Sequence, residues 1–229
     1  MFYAIIPIKS KSEGLRNKNI LNIKKRINLV NFTIKKLLNI KKIEKIFILT
    51  DSENYKKNII NHKKIDKNYI RKKRLSGRNA KIDDLINDFF QSYERSKKNH
   101  KILLFQVTSP NLSRKEIVKT LKYILKNNIS SLMHVTKALE SPYEMIILNK
   151  KKWSHLMKKR IINRQNYKKK IMFITGSLFY FSKIFFKKWK KIYNIKTIPY
   201  EIDRINFIDI DDKFTFELAK NNLNLKTRN

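Results

Sequence analysis

Short apolar runs alternate with longer amphipathic segments along the first 136 residues of the chain. Each short run is bounded by polar residues and is rich in isoleucine, leucine, valine or phenylalanine. Such runs are typical of strands that are buried on both faces of a sheet. The pattern predicts strands at 2–8, 44–50, 101–107 and 130–136.

The segments between these runs place apolar residues three or four positions apart, which is the spacing of one helix face. Asp51 or Ser52 is the expected N-cap of one of these helices, because a short oxygen-bearing side chain can accept a hydrogen bond from the first helical turn. The pattern predicts helices at 28–40, 51–60, 83–96 and 113–127.

The alternation of strand and helix predicts an α/β fold. Strand–helix–strand connections of this length give parallel neighbours and place helices on both faces of the sheet. We therefore expect a three-layer sandwich around a mostly parallel, Rossmann-like sheet. Ligands bind such sheets at the carboxyl ends of the strands, so the polar loops after the strands are the first candidates for a site.

The alternation stops after residue 136. Residues 137–170 are irregular and very basic, and we interpret them as an excursion from the core. The expected organisation is one α/β domain made of residues 1–136 and 171–229, with 137–170 as a protruding arm. The later elements are expected as a strand at 171–182, a strand at 204–210 and a helix at 212–223.

The chain carries 54 Lys and Arg against 18 Asp and Glu, a formal net charge of +36. Such an excess suits nucleic acid, an anionic membrane or anionic small molecules as partners. The lysines are spread along the chain with abundant Ile, Asn, Phe and Tyr, residue types that share AT-rich codons. We therefore attribute most of the charge to composition, and assign positive charge to a site only where its position argues for it.

Several classes of site are excluded or disfavoured. The absence of Cys excludes disulfides and thiolate metal sites, and the four His lack the spacing of metal ligands. The longest uncharged apolar stretch, 171–182, is too short to span a bilayer. We expect a cytoplasmic protein that does not insert into membranes.

A basic loop, residues 9–19, directly follows the first predicted strand. Its backbone N–H groups and ammonium groups can wrap a polyphosphate. The loop is not a Walker loop, and on composition alone a solvated basic loop remains the alternative. Its cations are Lys9, Lys11, Arg16 and Lys18, accompanied by two serines and Gly14.

Six of the chain's acids cluster between residues 201 and 217. In an extended segment Asp209 and Asp211 point to one face, and the isoleucines beside them point to the other. Two carboxylates on one face suit Mg²⁺, which binds a few carboxylates together with water and substrate phosphates. The alternative is structural, because Asp211 or Asp212 can cap the last helix.

The segment "FQVTSP", residues 105–110, ends a strand with polar side chains before a proline. One interpretation is a polar rim over a ligand, with Gln106 in the rim. The other is a simple strand-to-helix turn, in which Ser109 or Ser113 caps the helix.

Eight segments between residues 4 and 223 resemble, in order, the motifs of the acylneuraminate cytidylyltransferases, the CMP-sialic acid synthetases. "AIIPIKSKSEGLRNKN" resembles A-R-x-G-S-K-G-L-P-x-K-N, "LLFQVTSP" resembles L-L-Q-P-T-S-P, and "FIDIDDKFTFELA" resembles S-I-D-I-D-T-x-x-D. The remaining five are "LTDSE", "RKKRLSGRNAKIDDLI", "ESPYEM", "NRQNY" and "ITGSLFYF".

The resemblance implies a nucleotide-diphospho-sugar transferase-like fold and the transfer of CMP from CTP to an acidic keto sugar, with release of pyrophosphate. The implied acceptor has nine carbons, as in sialic, legionaminic or pseudaminic acid. The family also implies a homodimer, in which the 137–170 arm reaches the partner subunit.

The resemblance also assigns roles to residues. It places Mg²⁺ on Asp209 and Asp211, and the sugar acid on Gln106 and Arg164. It makes Lys9, Lys18 and Asp211 the catalytic residues. The nucleotide is expected at Lys9, Ser12, Lys18, Asn19, Arg71 and Ala80.

Some positions depart from the family pattern. Glu13 stands where the family has a lysine, Lys9 replaces its arginine, and Val107 replaces the proline of its third motif. A catalytically impaired homologue is therefore one alternative. A binder of nucleic acid or of an anionic surface is the other, and it would use the basic and aromatic stretches 67–78 or 183–193.

Overall fold

The structure, a computed structural model, describes residues 1–11, 14–150, 152–157 and 170–225. The strands are β1 Phe2–Ile8, β2 Asn22–Lys24, β3 Ile27–Asn28, β4 Ile43–Thr50, β5 Ile65–Asp66, β6 Lys101–Phe105, β7 Ser131–Lys137, β8 Ile146–Asn149, β9 Lys152–His155, β10 Met172–Ser182 and β11 Ile198–Glu201. The α-helices are α1 Leu29–Leu38, α2 Glu53–Lys57, α3 Ile82–Ser92, α4 Arg114–Lys126, α5 Lys183–Trp189 and α6 Lys213–Leu225. Short 3-10 helices cover Lys18–Ile20, Lys73–Leu75 and Arg204–Asn206.

Seven of the strands form one sheet in the order β11-β7-β10-β6-β1-β4-β5. β1 lies in its middle and pairs in parallel with β4 on one side and β6 on the other. β10 runs antiparallel to both of its neighbours, β6 and β7, whereas β11 runs parallel to β7. The sheet is therefore mostly parallel, as expected.

The two faces of the sheet bury two separate apolar cores. Alternate residues of β1 divide between them, since Ala4 and Ile6 join one core and Ile5 joins the other. Helices α1, α2, α4 and α6 cover the first face, and α3 and α5 cover the second. The three-layer α/β sandwich predicted from the alternating pattern is confirmed.

Helix starts follow the capping chemistry of the sequence. Ser52 caps α2 by accepting a hydrogen bond from the Tyr55 N–H, and Ser113 caps α4 by accepting one from the Glu116 N–H. Asp51 and Ser109, which the sequence offered as alternative caps, therefore do not cap these helices. This leaves the Asp51 carboxylate available for a contact outside its own helix.

The prediction of a last strand at 204–210 is wrong. Arg204–Asn206 form a 3-10 helix, and the following residues are extended without pairing in a sheet. Ile210 donates its N–H to the Thr108 carbonyl instead, and its side chain enters the core. Phe207, Ile208 and Ile210 pack in the core that α6 covers, whereas the last strand is the exposed edge strand β11.

The described part of the 137–170 segment forms an exposed hairpin of β8 and β9. Its four register pairs run from Ile146 opposite His155 to Asn149 opposite Lys152. Large apolar side chains stand in solvent on it, including Leu148 at 70% and Trp153 at 60% exposure. The domain boundaries at 136 and 171 remain a prediction. Among the described residues, no helix is both long and apolar enough to cross a membrane.

Candidate active site

A cleft of about 430 Å³ opens at the carboxyl ends of β1 and β6, which are neighbours in the sheet. This is the edge at which ligands bind parallel α/β sheets. Cationic side chains line one part of the cleft and carboxylates line another. The lining residues are Pro7, Lys9, Gly14, Lys18, Asn19, Arg71, Arg78, Ile82, Gln106, Val107, Thr108, Asp209 and Asp211.

The loop after β1 is fixed at its start by the neighbouring strand and helix. The Asp51 carboxylate, at the end of β4, accepts hydrogen bonds from the Ser10 N–H at 2.8 Å and from the Ser10 hydroxyl at 3.1 Å. The buried Tyr55 hydroxyl donates to the Ser10 carbonyl at 3.2 Å. Asn19 Nδ2 closes the loop by donating to the Lys9 carbonyl at 3.1 Å. The backbone around Lys9 is therefore positioned before any ligand arrives.

Lys18 connects this loop to the acidic segment. Its Nζ lies 2.7 Å from the carbonyl oxygen of Ile210 and 3.0 Å from Oδ1 of Asp211. The Lys18 side chain is 15% exposed, whereas the Asp211 side chain is 75% exposed. The ammonium group thus lies inside the cleft, and the carboxylate keeps a free face toward solvent.

Gly14 packs directly on the backbone of the acidic segment. A Cβ at this position would lie 2.0 Å from the Asp211 carbonyl oxygen, so no larger residue fits without a backbone shift. The next residue, Leu15, donates its N–H to that same oxygen at 3.0 Å. The glycine therefore brings the basic loop and the acidic segment into contact.

Asp209 is the more buried member of the acidic pair. Its Oδ1 is buried and has no hydrogen-bond partner among the described residues. Burial raises the pKa of the Asp209 carboxyl; Thr108 acts against this shift, whereas the nearby Asp211 adds to it. A desolvated carboxylate oxygen without a donor is costly for the fold. Such an atom indicates a position for a ligand cation.

Asp212, the third acid, has a different role. Its Oδ1 accepts a hydrogen bond from the Thr215 N–H at 2.8 Å and one from the Thr215 hydroxyl at 2.7 Å, at the start of α6. These bonds lower the pKa of the Asp212 carboxyl. The capping alternative left open by the sequence thus applies to Asp212, and Asp209 and Asp211 line the cleft.

The acidic pair fits Mg²⁺ better than a metal with an all-protein ligand shell. The described residues contain no group of three or more His, Cys, Asp or Glu suited to a metal. Mg²⁺ needs only one or two carboxylates, because water and substrate phosphates complete its octahedron. The partnerless oxygen of Asp209 beside Asp211 supplies that donor set.

Two arginines line the cleft between β4 and α3. Arg71 is buried, and its Nε and one terminal nitrogen donate to the Leu75 carbonyl at 3.0 and 2.5 Å. Burial lowers the pKa of Arg71, and the Asp51 charge partly offsets this. Arg78 also lines the cleft and was not among the residues selected from the sequence. In the sequence, only its place in the basic run 71–78, directly before an amphipathic helix, indicated that Arg78 could belong to the site.

Gln106 lies at the end of β6, against an irregularity in β10. Gly176 has a φ of +68°, and a Cβ there would lie 2.8 Å from Oε1 of Gln106. Thr175 and Ser177 on either side are buried and share a 2.8 Å hydrogen bond. The register of β10 against β7 shifts across this stretch. The bulge therefore determines how far Gln106 reaches into the cleft.

A second, largely apolar chamber of about 650 Å³ adjoins the cleft and shares Asp209 and Asp211 with it. Phe173 and Phe207 contribute to its wall, and their ring centroids are 5.8 Å apart. Arg204 is the one cationic side chain among the described residues that line it, and its guanidinium lies 5.1 Å from the centre of the Phe207 ring. The acidic pair thus stands between a basic cleft and an apolar chamber.

Most of the residues selected from the sequence converge on the cleft. Ala80 is the exception among those described: it lies between the lining residues Arg78 and Ile82 and donates its N–H to the Gly77 carbonyl. Ser12, Glu13 and Arg164 lie outside the described residues. The residues that the structure brings together are Lys9, Lys18, Asn19, Arg71, Gln106, Asp209 and Asp211.

Comparison with known proteins gives a family and relatives to which the chain is similar. Residues 3–220 match a family model described as "Cytidylyltransferase". The chain is 27% identical over 230 residues to an N-acylneuraminate cytidylyltransferase of Escherichia coli O18:K1:H7. That match covers 94% of the chain and 50% of the relative, so the chain spans half the length of this relative.

Solved structures share the fold at low sequence identity. A CMP:2-keto-3-deoxy-manno-octonic acid synthetase complexed with CTP aligns with a TM-score of 0.67 at 10% identity, covering 99% of this chain and all of the other. The 2-C-methyl-D-erythritol 4-phosphate cytidylyltransferase of Francisella tularensis aligns with a TM-score of 0.65 at 12% identity, covering 97% of this chain and all of the other. At these identities the likeness establishes the Rossmann-like α/β fold.

Proposed function

Because the chain belongs to the cytidylyltransferase family, which it matches over residues 3–220, we propose that it transfers CMP from CTP to an acidic keto sugar. The family suspected from the ordered motifs is confirmed, and with it the class of nucleotidyltransferases. In the proposed reaction a sugar hydroxyl oxygen bonds to the α-phosphorus of CTP. The bond from that phosphorus to the bridging oxygen breaks, pyrophosphate leaves, and the hydroxyl proton is released.

One observation carries the proposal: a basic loop and a pair of carboxylates line the same cleft, and Lys18 and Asp211 lie 3.0 Å apart in it. Lys9 and Lys18 on the loop side, with Arg71 and Arg78, can neutralise a triphosphate. Transfer of a nucleotidyl group demands chiefly positioning and charge neutralisation, since no covalent enzyme intermediate is required. A cleft with preset cations at the carboxyl edge of the sheet meets that demand.

Asp209 and Asp211 are the proposed Mg²⁺ ligands. A bound Mg²⁺ would neutralise phosphate charge and orient the reacting groups. The protein's own contribution is a desolvated Asp209 and an Asp211 that Lys18 holds in place through its 3.0 Å contact. Because Lys18 also binds the Ile210 carbonyl, it can turn toward a phosphate without leaving the acidic segment.

The apolar chamber beside the acidic pair is the proposed acceptor site. The chamber adjoins the cleft and shares Asp209 and Asp211 with it, and the name of the E. coli relative points to an N-acylneuraminate as the acceptor. Gln106, which the family pattern assigns to the sugar acid, lines the adjoining cleft. Arg204 lines the chamber and offers a cation to the acceptor carboxylate. Arg164, which the family pattern assigns to this substrate, remains a prediction, as does the cytoplasmic location.

Release of pyrophosphate tests this function. The protein is incubated with Mg²⁺, each of the four NTPs in turn and a panel of eight-carbon and nine-carbon keto sugar acids. We expect release with CTP and a nine-carbon acid, and loss of this activity in Asp209→Asn. If calorimetry shows that the protein binds CTP but no combination of NTP and sugar acid releases pyrophosphate, the catalytically impaired homologue is favoured.

A homodimer is the proposed assembly. The β8–β9 hairpin exposes Ile147 at 51% and Leu148 at 70%, together with Trp153. Exposed apolar clusters of this kind mark interaction surfaces. Sedimentation should therefore show a dimer that Leu148→Asp converts to monomer. Ile195→Asp, at a more exposed isoleucine of another surface, should leave the dimer intact. A monomeric parent protein would refute the assembly.

A further inference from the structure

Lysines and exposed apolar side chains lie side by side on α5 and on the turns after it. Ile195 is 98% exposed, and Ile184 is 60% exposed. Trp189 and Tyr193 are also partly in solvent. We call this surface the α5 patch. It consists of Ile184, Lys187, Lys188, Trp189, Lys190, Lys191, Tyr193, Ile195, Lys196 and Ile198.

The α5 patch and the nucleotide cleft lie at opposite edges of the sheet. β10 runs antiparallel, so its last residue, Ser182, pairs with Lys101 at the start of β6. Ile198, in β11, pairs with Leu132 near the start of β7. Both ends of the patch are therefore attached to the amino edge of the parallel strands, whereas the cleft opens at the carboxyl edge.

Trp189 is the centre of the patch and lies against two lysines. The ammonium groups of Lys188 and Lys196 are 5.4 and 5.3 Å from the centre of its ring. Both distances are within the range of cation–π attraction. The contacts keep two positive charges next to a large amphipathic side chain at the surface.

Part of the charge of the patch is free to bind an external anion. Lys191 forms an ion pair with Asp83 at 2.9 Å, and Lys190 donates to Asn87. Among the described residues, Lys187, Lys188 and Lys196 form no ion pair. Three cations therefore face solvent without a carboxylate partner.

We propose that the α5 patch is a docking surface for an anionic lipid bilayer. Composition bias raises the counts of lysine and isoleucine along the whole chain, but it does not explain why an almost fully exposed isoleucine, a partly exposed tryptophan and three lysines without a carboxylate partner among the described residues meet on one surface. Cations beside exposed aromatic and aliphatic side chains are the combination that binds the interface of an anionic membrane. The long lysine stems let ammonium groups reach phosphates while apolar side chains enter the headgroup region.

A single-stranded nucleic acid fits the patch less well. Such ligands stack their bases on the free faces of aromatic rings. Here Lys188 and Lys196 lie against Trp189, and the Tyr193 ring is already stacked on Phe179 at 5.3 Å and 12°. The exposed Ile184 and Ile195 provide neither an aromatic face for stacking nor a hydrogen-bonding group for a base edge. Docking on a bilayer uses all of these side chains and leaves the cleft open to the solution.

The test compares two triple variants of equal net charge. The first, Lys187→Gln with Lys188→Gln and Lys196→Gln, removes the free cations of the patch. The control, Lys24→Gln with Lys25→Gln and Lys115→Gln, removes two lysines shortly before α1 and one in the first turn of α4. Co-sedimentation is measured with vesicles of phosphatidylcholine containing phosphatidylglycerol, and with phosphatidylcholine alone.

We expect the parent protein to sediment with the anionic vesicles and not with phosphatidylcholine alone. The patch variant should partition about a hundredfold more weakly, since each of the three cations near an anionic surface contributes about fivefold. The control variant should stay close to the parent. Equal losses in both triple variants would show that total charge alone drives binding, and would overturn the proposal.

The apolar part of the patch is tested separately with Ile195→Ser and with tryptophan fluorescence. In a Trp153→Phe background, Trp189 emission should shift to shorter wavelength on anionic vesicles, and Ile195→Ser should weaken the binding that persists at high salt. No shift, or stronger binding of single-stranded RNA than of vesicles through the same lysines, would refute a bilayer partner. Pyrophosphate release in solution should be unchanged in these variants, so the outcome is independent of the proposed function.

Discussion

The Lys18 ammonium group bridges the two sides of the cleft, lying 3.0 Å from Oδ1 of Asp211 and 2.7 Å from the Ile210 carbonyl oxygen. An ion pair with so exposed a carboxylate adds little to stability, about 0.2–1 kcal/mol. The ion pair therefore matters for where it holds the Lys18 charge and not for stability. Lys18 holds a positive charge between the place proposed for the phosphates and the place proposed for the metal.

Lys18→Met should lower turnover with CTP by about a hundredfold to a thousandfold, because one preset donor to developing charge is lost. The free energy of unfolding should change little. Steady-state kinetics and urea unfolding measure the two effects. Lys25→Met removes the same charge from an exposed turn outside the cleft and should leave turnover intact. Similar losses in both variants would mean that Lys18 acts only through net charge.

Gly14→Ala should disrupt the contact between the basic loop and the acidic segment. The new Cβ would meet the Asp211 carbonyl oxygen at 2.0 Å, so the backbone must move and the Leu15 hydrogen bond must lengthen. We expect a loss of about 1–3 kcal/mol in the free energy of unfolding, together with weaker CTP binding by calorimetry. Gly77→Ala is the matched control, because nothing lies within 4 Å of its Cβ position. A Gly14→Ala variant that binds CTP like the parent would refute the close approach.

Asp209→Asn should separate stability from activity. Burial raises the pKa of Asp209, so the folded protein holds this proton more tightly than the unfolded chain. Its contribution to stability therefore falls as pH rises from the usual carboxyl pKa through the raised folded value. Near neutral pH the Asn variant should be at least as stable as the parent but without Mg²⁺-dependent turnover. Urea unfolding of the parent and the variant across pH measures the difference in their free energies of unfolding. A variant that is less stable than the parent at neutral pH would contradict the prediction.

Asp212→Ala should behave in the opposite way. Hydrogen bonds from Thr215 lower the pKa of Asp212, so its stabilising contribution is present above the usual carboxyl pKa and is lost as pH falls through the lowered value. The variant should have a lower melting temperature at neutral pH, an effect that disappears in acid, and should keep its turnover. Loss of turnover with unchanged melting would place Asp212 in the site instead.

Gly176→Ala should alter the acceptor site through Gln106. The substitution is strained at a φ of +68° and places a methyl group 2.8 Å from Oε1 of Gln106, so the amide must rotate. We expect a higher KM for the sugar acid with little change in the KM for CTP. Gln106→Leu should likewise raise the KM for the sugar acid and leave the KM for CTP almost unchanged. An equal rise in both KM values would indicate a general loss of the fold around β10.

The sequence predicted the part of the site that depends on local geometry. Asp209 and Asp211 share the cleft because an extended chain has a period of two residues, whether or not it pairs in a sheet. The apolar run around them looked like a strand for the same reason. Tertiary packing distinguishes the segment 204–210 from the true strand β11. Phe207 and Ile210 are buried beneath α6, whereas the residues of β11 pair at an exposed edge of the sheet.

Contacts between distant segments were beyond the reach of the sequence pattern. No periodicity connects Lys18 with Asp211, or Gly176 with Gln106, because the sheet order determines which loops meet. Arg78 was missed because a basic residue in a lysine-rich chain carries little information by itself. Its position became meaningful only when the start of α3 was placed beside the cleft.

The distance along the chain between Lys18 and Asp211, 193 residues, also determines when the site can exist during synthesis. The ribosome delivers the basic loop first and the acidic pair 193 residues later. A nascent chain that stops before residue 211 has cations for a nucleotide but no carboxylate pair opposite them. A ribosome must therefore pass residue 211 before the cleft can be complete, and a copy that terminates earlier lacks one side of the proposed site.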